Sequence, residues 1–333
     1  MTPAAAPESA LQRAEELAER VLPDRRAKKK MLVIVNPYAT TVSDRLKNLV
    51  IYALQGRYDV EAIDTQAQGH ATELCREAAE AGYDVVVAFG GDGTVNEAAN
   101  GLAGSNTPLT CLPGGATNVY CRTLGIPNDV VDATEHLLSI ADDFRPRRVD
   151  TGLVNDRHFV FASGVGLDAS VVERVDAHPY RKAKFGEWYF TWAAISSFNK
   201  TYLVKPPRVN VEVHGDTIEG VTVIVQNSEP FTYFGERPIR ICEGAGLDTG
   251  TLGLAVLRRA TLLEMPTLIP RIFSSRPGSV VRHRQVTGFD PVEGLTVTSV
   301  DGRPFPVEAD GDFRGNFERV DYGVAPRSLA VVA

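Results

Sequence analysis

The chain has 333 residues, 44% of them hydrophobic and 23% charged, with a formal net charge of −7. That length supports a large buried core and about two domains, and the composition is that of a soluble globular protein. The acidic balance argues against a nucleic-acid partner, although local basic patches remain compatible with it. The four cysteines include no C-x-x-C pair, and three of them fall in predicted core elements. Free thiols in a reducing cytoplasm are therefore expected rather than disulfides. The six histidines show no zinc-ligand spacing. No apolar run approaches the roughly 18 residues of a spanning helix. Glu15, Glu16, Glu19 and Arg20 interrupt the stretch where a signal peptide would be apolar. The expected location is the cytoplasm.

Residues 1–7 read as disordered, and Glu8 to Leu22 as a helix with Leu11, Ala14, Ala18 and Val21 on one face. Pro23 stops it. A basic run follows from Arg25 to Lys30, readable as a solvated linker or as an attraction to anionic headgroups. From Met31 strand and helix alternate. Met31–Val35 is an apolar strand, and Leu46, Leu49, Val50, Ala53 and Leu54 form a helical stripe that Ser43 can cap. Tyr58–Ile63 is a second strand. Ala71, Leu74, Cys75, Ala78 and Ala79 line a second helix, closed by Gly82. Asp84–Phe89 and Leu109–Leu112 are further strands, the latter followed by a short helix that ends near Gly125. Such repeats predict a doubly wound parallel sheet with helices on both faces.

Near Asp143 to Arg148 the pattern changes to short strands punctuated by Gly, Pro and Asp. They are Arg147–Leu153, His158–Ala162, Arg208–Val213, Gly220–Gln226, Leu252–Leu257, Leu295–Val300 and Pro304–Glu308, with a closing strand at Ser328–Val332. That predicts an antiparallel β-sandwich or barrel, interrupted by helices near Arg181–Phe198 and Thr261–Ser274. The predicted division is an extension (1–30), an α/β domain (31–146) and a β-rich domain (147–324).

Chemistry concentrates at Gly90-Gly91-Asp92-Gly93-Thr94-Val95-Asn96-Glu97. A buried strand precedes this stretch, and Val95, Ala98, Ala99 and Leu102 follow at helical spacing. Thr94 and Glu97 have capping-box spacing. Glycines let backbone N–H groups approach a ligand, and a helix start adds partial positive charge, so the turn suits phosphate. It matches neither a P-loop nor G-x-G-x-x-G. An acid facing polyphosphate needs a cation between them, so Asp92 points to a magnesium-bound nucleotide. The alternative is a tight turn in which Asp tolerates awkward dihedrals. Pro113-Gly114-Gly115-Ala116-Thr117-Asn118 reads as a second turn of the same kind.

This stretch resembles the diacylglycerol kinase catalytic-domain family, which includes sphingosine, ceramide and bacterial lipid kinases. The resemblance runs from about Lys30 to the C-terminus. It also rests on Val35-Asn36-Pro37, Leu112-Pro113-Gly114-Gly115 with Asn118, Gly164-Val165-Gly166-Leu167-Asp168, and Asp310-Gly311-Asp312. The GGDGT core is shared with NAD kinases, while Asn96-Glu97 and the later segments favour the lipid kinase branch. The resemblance implies Mg2+ and ATP as cofactors and a membrane lipid as acceptor, most simply diacylglycerol. Nucleotide contacts are implied for Asn36, Pro37, Thr40, Thr41, Thr65, Gly90, Gly91, Asp92, Gly93, Thr94, Asn96, Glu97, Gly114, Gly115, Thr117 and Asn118. Thr40 and Thr41 replace the family's usual Ser-Gly, and Ala116 stands where relatives often carry Thr. Asp312 takes the place of the glutamate implied as general base. Asp168 is implied in lipid binding, with an N-cap role as the alternative. Asp248 falls one residue before the family's structural-magnesium acid, which weakens that assignment. The closing strand, within 325–333, is implied to complete the first domain.

For lipid access, Trp188, Tyr189, Phe190 and Trp192 follow Arg181, Lys182 and Lys184. The helix near Leu262 to Phe273 is flanked by Arg258, Arg259, Arg271 and Arg276. Aromatics with basic flanks suit a membrane interface, and both groups equally suit ordinary core packing. The expected protein is an ATP-dependent lipid kinase held peripherally at an anionic membrane surface, with a homodimer left open. A kinase of a soluble acceptor, or a binding protein without turnover, are the alternatives.

Overall fold

The computed structural model describes residues 12–13, 15–17, 28–39, 43–166, 207–261 and 264–333. The chain divides into two compact units, Met1–Arg148 with Ser328–Ala333, and Val149–Arg327. In the first, strands β1 (Lys29–Val35), β2 (Tyr58–Asp64), β3 (Val85–Gly90) and β4 (Leu109–Pro113) form a parallel sheet ordered β2-β1-β3-β4. The last residues of the chain add beside β4, with Val331 opposite Leu109. Met31–Val35 and all of β3 and β4 are buried, the pattern of strands covered on both faces. On β2, at the sheet edge, only Tyr58 is buried.

The helices of this unit are α1 (Asp44–Gln55), α2 (His70–Glu80), α3 (Asp92–Leu102), α4 (Val119–Thr123) and α5 (Val130–Ser139). Ser43 caps α1 by accepting the Leu46 N–H at 3.2 Å, and Leu46, Val50, Ala53 and Leu54 are its buried face. Helix α2 buries Ala71, Leu74, Cys75 and Ala78. These are largely the stripes read from the sequence. Helix α1 packs on α5, and α2 on α3. Helix α5 was not anticipated, because Pro127-Asn128-Asp129 reads as a loop. Asp129 in fact caps it, accepting the N–H groups of Val131 and Asp132. The capping box expected at Thr94 and Glu97 is also corrected. Helix α3 starts earlier, with Gly91 as N-cap and no side-chain cap bond, so both residues lie inside the helix.

The second unit contains β5 (Arg147–Val154), β6 (Arg157–Phe159), β7 (Ala162–Gly166), β8 (Val209–Val213), β9 (Asp216–Gly220), β10 (Thr222–Gln226), β11 (Thr232–Phe234), β12 (Arg237–Ile239) and β13 (Leu252–Leu257). Helix α6 (Met265–Ile272) follows, then β14 (Val286–Val292), β15 (Gly294–Ser299), β16 (Phe305–Ala309), β17 (Asp312–Phe317) and β18 (Arg319–Val331), whose residues from Ser328 onward belong to the first unit. The strand expected at His158–Ala162 is instead two, β6 and β7, with the break at Val160-Phe161. One sheet is ordered β14-β13-β10-β7-β16-β17. The other pairs β9, β8, β15 and β18 antiparallel, with β5 and β6 alongside.

The two sheets share a core. Val211, Val297 and Val320 come from one, and Val225, Leu254 and Val307 from the other. This is a sandwich, one of the two forms, sandwich or barrel, that the sequence left open. Alternation along β13 sends Leu254 and Val256 into that core, while Ala255 and Leu257 join a second cluster with Ile239, Leu268 and Val280. All four cysteines are buried free thiols. Among the described residues no helix is long and apolar enough to cross a membrane.

Candidate active site

In the first unit the predicted turns gather at the carboxyl ends of the parallel strands, where ligands bind in open α/β sheets. Asn36, just past β1, donates its backbone N–H to Phe89 O at 3.0 Å and its side-chain amide to Thr94 Oγ1 at 3.2 Å. Its Oδ1 accepts the Tyr38 N–H at 3.0 Å. Pro37 and Tyr38 form the exposed turn that follows. Thr65 returns to the same edge, its N–H bonded to Val35 O at 2.8 Å. Thr40 and Thr41 lie outside the described residues.

The two glycine turns touch through their backbones. Gly114 N–H donates to Gly90 O at 2.9 Å. A Cβ on Gly115 would sit 2.9 Å from Gly91 Cα, and one on Gly90 would sit 2.5 Å from Thr94 Oγ1. Only hydrogen fits at either position. Asn118 holds the second turn, its Oδ1 accepting the Gly115 N–H at 2.9 Å while its Nδ2 donates to Gly115 O at 2.8 Å and to Asn128 Oδ1 at 2.9 Å. Ala116 and Thr117 at the tip are exposed and half-buried respectively.

Asp92 opens helix α3. Its Oδ1 accepts the Tyr120 N–H at 3.2 Å, which ties the first turn to the start of α4. Gly93 follows, half-buried. The rest of the motif points into the protein. Thr94, Asn96 and Glu97 are 7%, 0% and 9% exposed. Glu97 accepts the Gly69 N–H at 2.8 Å and the Ala71 N–H at 3.2 Å, one on each carboxylate oxygen. Gly69, the N-cap of α2, has no side chain of its own to cap with. Glu97 therefore supplies the cap of α2 from α3 and fixes the loop that begins at Thr65. Asn96 accepts from the side chain of Asn100. These residues hold the scaffold, a role the sequence motif did not reveal.

The residues present fit a magnesium-bound polyphosphate. The helix α3 N-cap offers no competing side chain, the glycine cradle would be filled by any Cβ, and one carboxylate stands at the helix start. Magnesium commonly takes one or two carboxylates and completes its shell with phosphate and water oxygens. Among the described residues no group of three or more His, Cys, Asp or Glu is placed to hold a metal by itself. Asp248 is exposed, and it has no such companions among the described residues.

In the second unit Asp310-Gly311 is a two-residue hairpin turn joining β16 to β17, with φ of 52° and 79°. Positive φ at both central residues is what a type I′ turn demands, and Asp-Gly satisfies it. Asp310 is 1% exposed. Its carboxylate accepts the N–H groups of Val160, Phe161 and Ala162 at 2.7, 3.0 and 3.2 Å. The turn is thus bolted to the break between β6 and β7. Gly311 donates its N–H to Glu308 Oε2 at 2.8 Å. Asp312 begins β17, and its Oδ2 accepts from Arg314 Nη2 at 3.1 Å. Its side chain is 24% exposed. A second buried carboxylate, Asp150, accepts the Gly250 and Arg327 N–H groups, each at 2.7 Å. Asp168 and the aromatic segment around Trp188 and Trp192 lie outside the described residues.

Asp310→Ala should destabilise the protein by about 3–5 kcal/mol, because three buried N–H donors lose their acceptor together. Asp310→Asn keeps an acceptor oxygen and should cost less. Urea unfolding of both variants checks this. An alanine variant as stable as the parent would show that the three N–H groups find other partners.

Residues 30–153 match the diacylglycerol kinase catalytic domain. Residues 162–333 match the YegS C-terminal NAD kinase beta sandwich-like domain. A diacylglycerol kinase of Bacillus subtilis (strain 168) is 28% identical over 213 residues, 63% of this chain and 67% of that one. One from Staphylococcus aureus (strain bovine RF122 / ET3-1) is 26% identical over 294 residues, 86% and 87% of the two chains. Among solved structures, a Bacillus anthracis str. Sterne protein provisionally described as a diacylglycerol kinase superposes with a TM-score of 0.70 at 26% identity, covering 93% of this chain and 97% of that one. Both halves match in order, and the glycine turns end β3 and β4 as the motifs require: the chain belongs to the diacylglycerol kinase catalytic-domain family.

Proposed function

We propose that the protein is an ATP-dependent lipid kinase that phosphorylates the hydroxyl of diacylglycerol to give phosphatidic acid. The observation that carries this reading is the glycine cradle against the N-terminus of α3 with Asp92 inside it; the names of the relatives supply the acceptor class. The N–H groups of the two turns would receive the phosphate oxygens, as helix starts and glycine loops do elsewhere. Asp92 would hold magnesium, which when bound neutralises charge on the phosphate chain. Asn118 and Glu97 keep the cradle and its neighbouring loop in register. Asp312 would accept the proton of the lipid hydroxyl as its oxygen bonds to the γ-phosphorus, while the bond to the leaving ADP oxygen breaks. Catalysis is then mainly positioning and charge neutralisation. The lipid acceptor implies work at a membrane surface, and among the described residues no helix is long and apolar enough to cross one.

The test is incubation with Mg-ATP and a lipid extract, with product identification. Phosphatidic acid is the expected product. The C-terminal match is described as NAD kinase-like, which keeps a soluble acceptor as the second reading, and NAD in a parallel reaction separates the two. No phosphorylated product from either would leave a binding protein. Gly115→Ala should weaken ATP binding by roughly tenfold, since a Cβ forces the turns apart at a cost of about 1–3 kcal/mol. Calorimetric titration with ATP measures it, and unchanged affinity would remove the cradle from the nucleotide site.

A further inference from the structure

The outer face of the six-stranded sheet in the second unit carries a layer made from the β11–β12 hairpin, α6 and residues 276–284, joined through Ile239, Leu268 and Val280. This layer leaves apolar side chains outside. Helix α6 fully buries only Leu268. Ile269 is 49% exposed and Phe273 40%. From the hairpin, Phe234 is 49% exposed, and its ring stands edge-on to that of Phe273, with centroids 5.7 Å apart and planes at 85°. Two elements distant in sequence thus bring large apolar tips together at the surface. Single exposed apolar residues need no explanation, but a joined group rimmed by polar residues marks an interaction surface.

The charge of the same segments selects the partner. Residues 229–243 and 258–284 contain eight arginines and four glutamates, with no lysine or aspartate, a local net charge of +4 in a chain of net −7. The acids are engaged rather than free. Glu264 pairs with Arg284 and is 8% exposed, Glu243 accepts the Gly278 N–H, and Glu229 accepts the Gly244 N–H at 2.7 Å and stands 3.7 Å from Arg240. Arg237 stands directly across the hairpin from Phe234, and Arg276 follows Phe273 by three residues. Both are exposed. A second copy would bring two positive faces together, which Coulomb repulsion opposes. Aromatic and aliphatic tips among guanidinium groups suit an anionic bilayer, where rings enter the headgroup region and arginines meet phosphates. The acidic remainder of the chain is repelled by the same bilayer, so a local basic face also sets the orientation.

We infer that the face carrying Phe234, Ile269 and Phe273 docks on an anionic lipid bilayer, with Arg237 and Arg276 binding its phosphates. This rests on the membrane-lipid reading above and names the surface that would serve it. The test is co-sedimentation with phosphatidylcholine vesicles, with and without phosphatidylglycerol. The parent should bind the anionic vesicles better, and salt should weaken binding, since the Debye length is only about 8 Å at physiological ionic strength. F234S/I269S/F273S should bind at least about tenfold more weakly, having lost three apolar anchors. R237Q/R276Q, which alters only exposed side chains, should lose about fivefold for each arginine. Both variants should keep the parent's circular dichroism and its rate on a short-chain, water-soluble diacylglycerol. A protein without kinase activity that still shows this vesicle pattern would remove the proposed reaction and leave the docking surface standing. Variants that sediment like the parent, or a parent indifferent to phosphatidylglycerol, would overturn the inference. So would a parent that self-associates when the triple variant does not.

Discussion

Asp92→Asn should lower turnover by roughly two to three orders of magnitude, the usual loss when one preorganised charge-stabilising group is removed. Asparagine is the discriminating substitution. The Asp92 Oδ1 accepts the Tyr120 N–H at 3.2 Å, and an amide oxygen can keep that bond while the charge disappears. Asp92→Ala removes both, so its defect would mix lost metal binding with a released N–H worth about 1 kcal/mol. The asparagine variant should therefore melt close to the parent, bind the glycine turns' ligand with reduced affinity, and need far more magnesium for half-maximal rate. Three measurements suffice: a thermal melt, a magnesium titration of rate, and single-turnover phosphorylation of diacylglycerol. Parental rate with parental magnesium dependence would remove Asp92 from metal binding and leave it a helix-joining residue.

The parts of this fold that were legible are those whose burial writes itself along the chain. Strand β3 is Val-Val-Val-Ala-Phe-Gly, buried at every position, because a strand covered on both faces needs no polar side. Helices α1 and α2 showed their stripes for the complementary reason, a single face against the sheet. The strands that were missed carry no such record. Strand β14 includes Gly288 and Pro291, and β17 includes Gly315 at φ 124° beside a register shift at Val307 and Glu308. Gly and Pro lower any strand reading. Glycine turns in the candidate site were readable as local chemistry. The carboxylates that brace the loops of each unit were not, because their partners are remote. Glu97 reaches Gly69 and Ala71, and Asp310 reaches the backbone of Val160, 150 positions away in sequence. A motif shows that an acid is present. Whether that acid faces a ligand or a fan of N–H groups is decided by the fold.

That distinction bears directly on Asp312. Within Asp310-Gly311-Asp312 both carboxylates are candidates for a base by sequence, but each Asp310 oxygen already accepts backbone N–H groups and the residue is 1% exposed. Asp312 keeps a side chain 24% exposed while its Oδ2 accepts from Arg314 Nη2, which makes it the stronger candidate for the proposed base. Asp312→Asn should leave ATP affinity near the parent's and reduce turnover by about two to four orders of magnitude, the contribution of a positioned base. The rate's dependence on pH should change as well. With a carboxylate base the rate falls as acid protonates it, and that limb should vanish in the asparagine variant. Asp312→Glu adds one methylene beside Arg314, so it should keep part of the activity if β17 yields and little if the ion pair fixes the side chain. Asp301→Asn is the control. Asp301 sits in a surface turn, where the Arg303 guanidinium bonded to it holds its carboxyl below the usual carboxylate range, and the substitution should be nearly silent in rate. Single-turnover mixing of enzyme, Mg-ATP and diacylglycerol reads the chemical step directly. An Asp312→Asn enzyme with the parent's single-turnover rate and pH profile would rule out the base assignment. The same result would point to the lipid hydroxyl losing its proton without help from this turn.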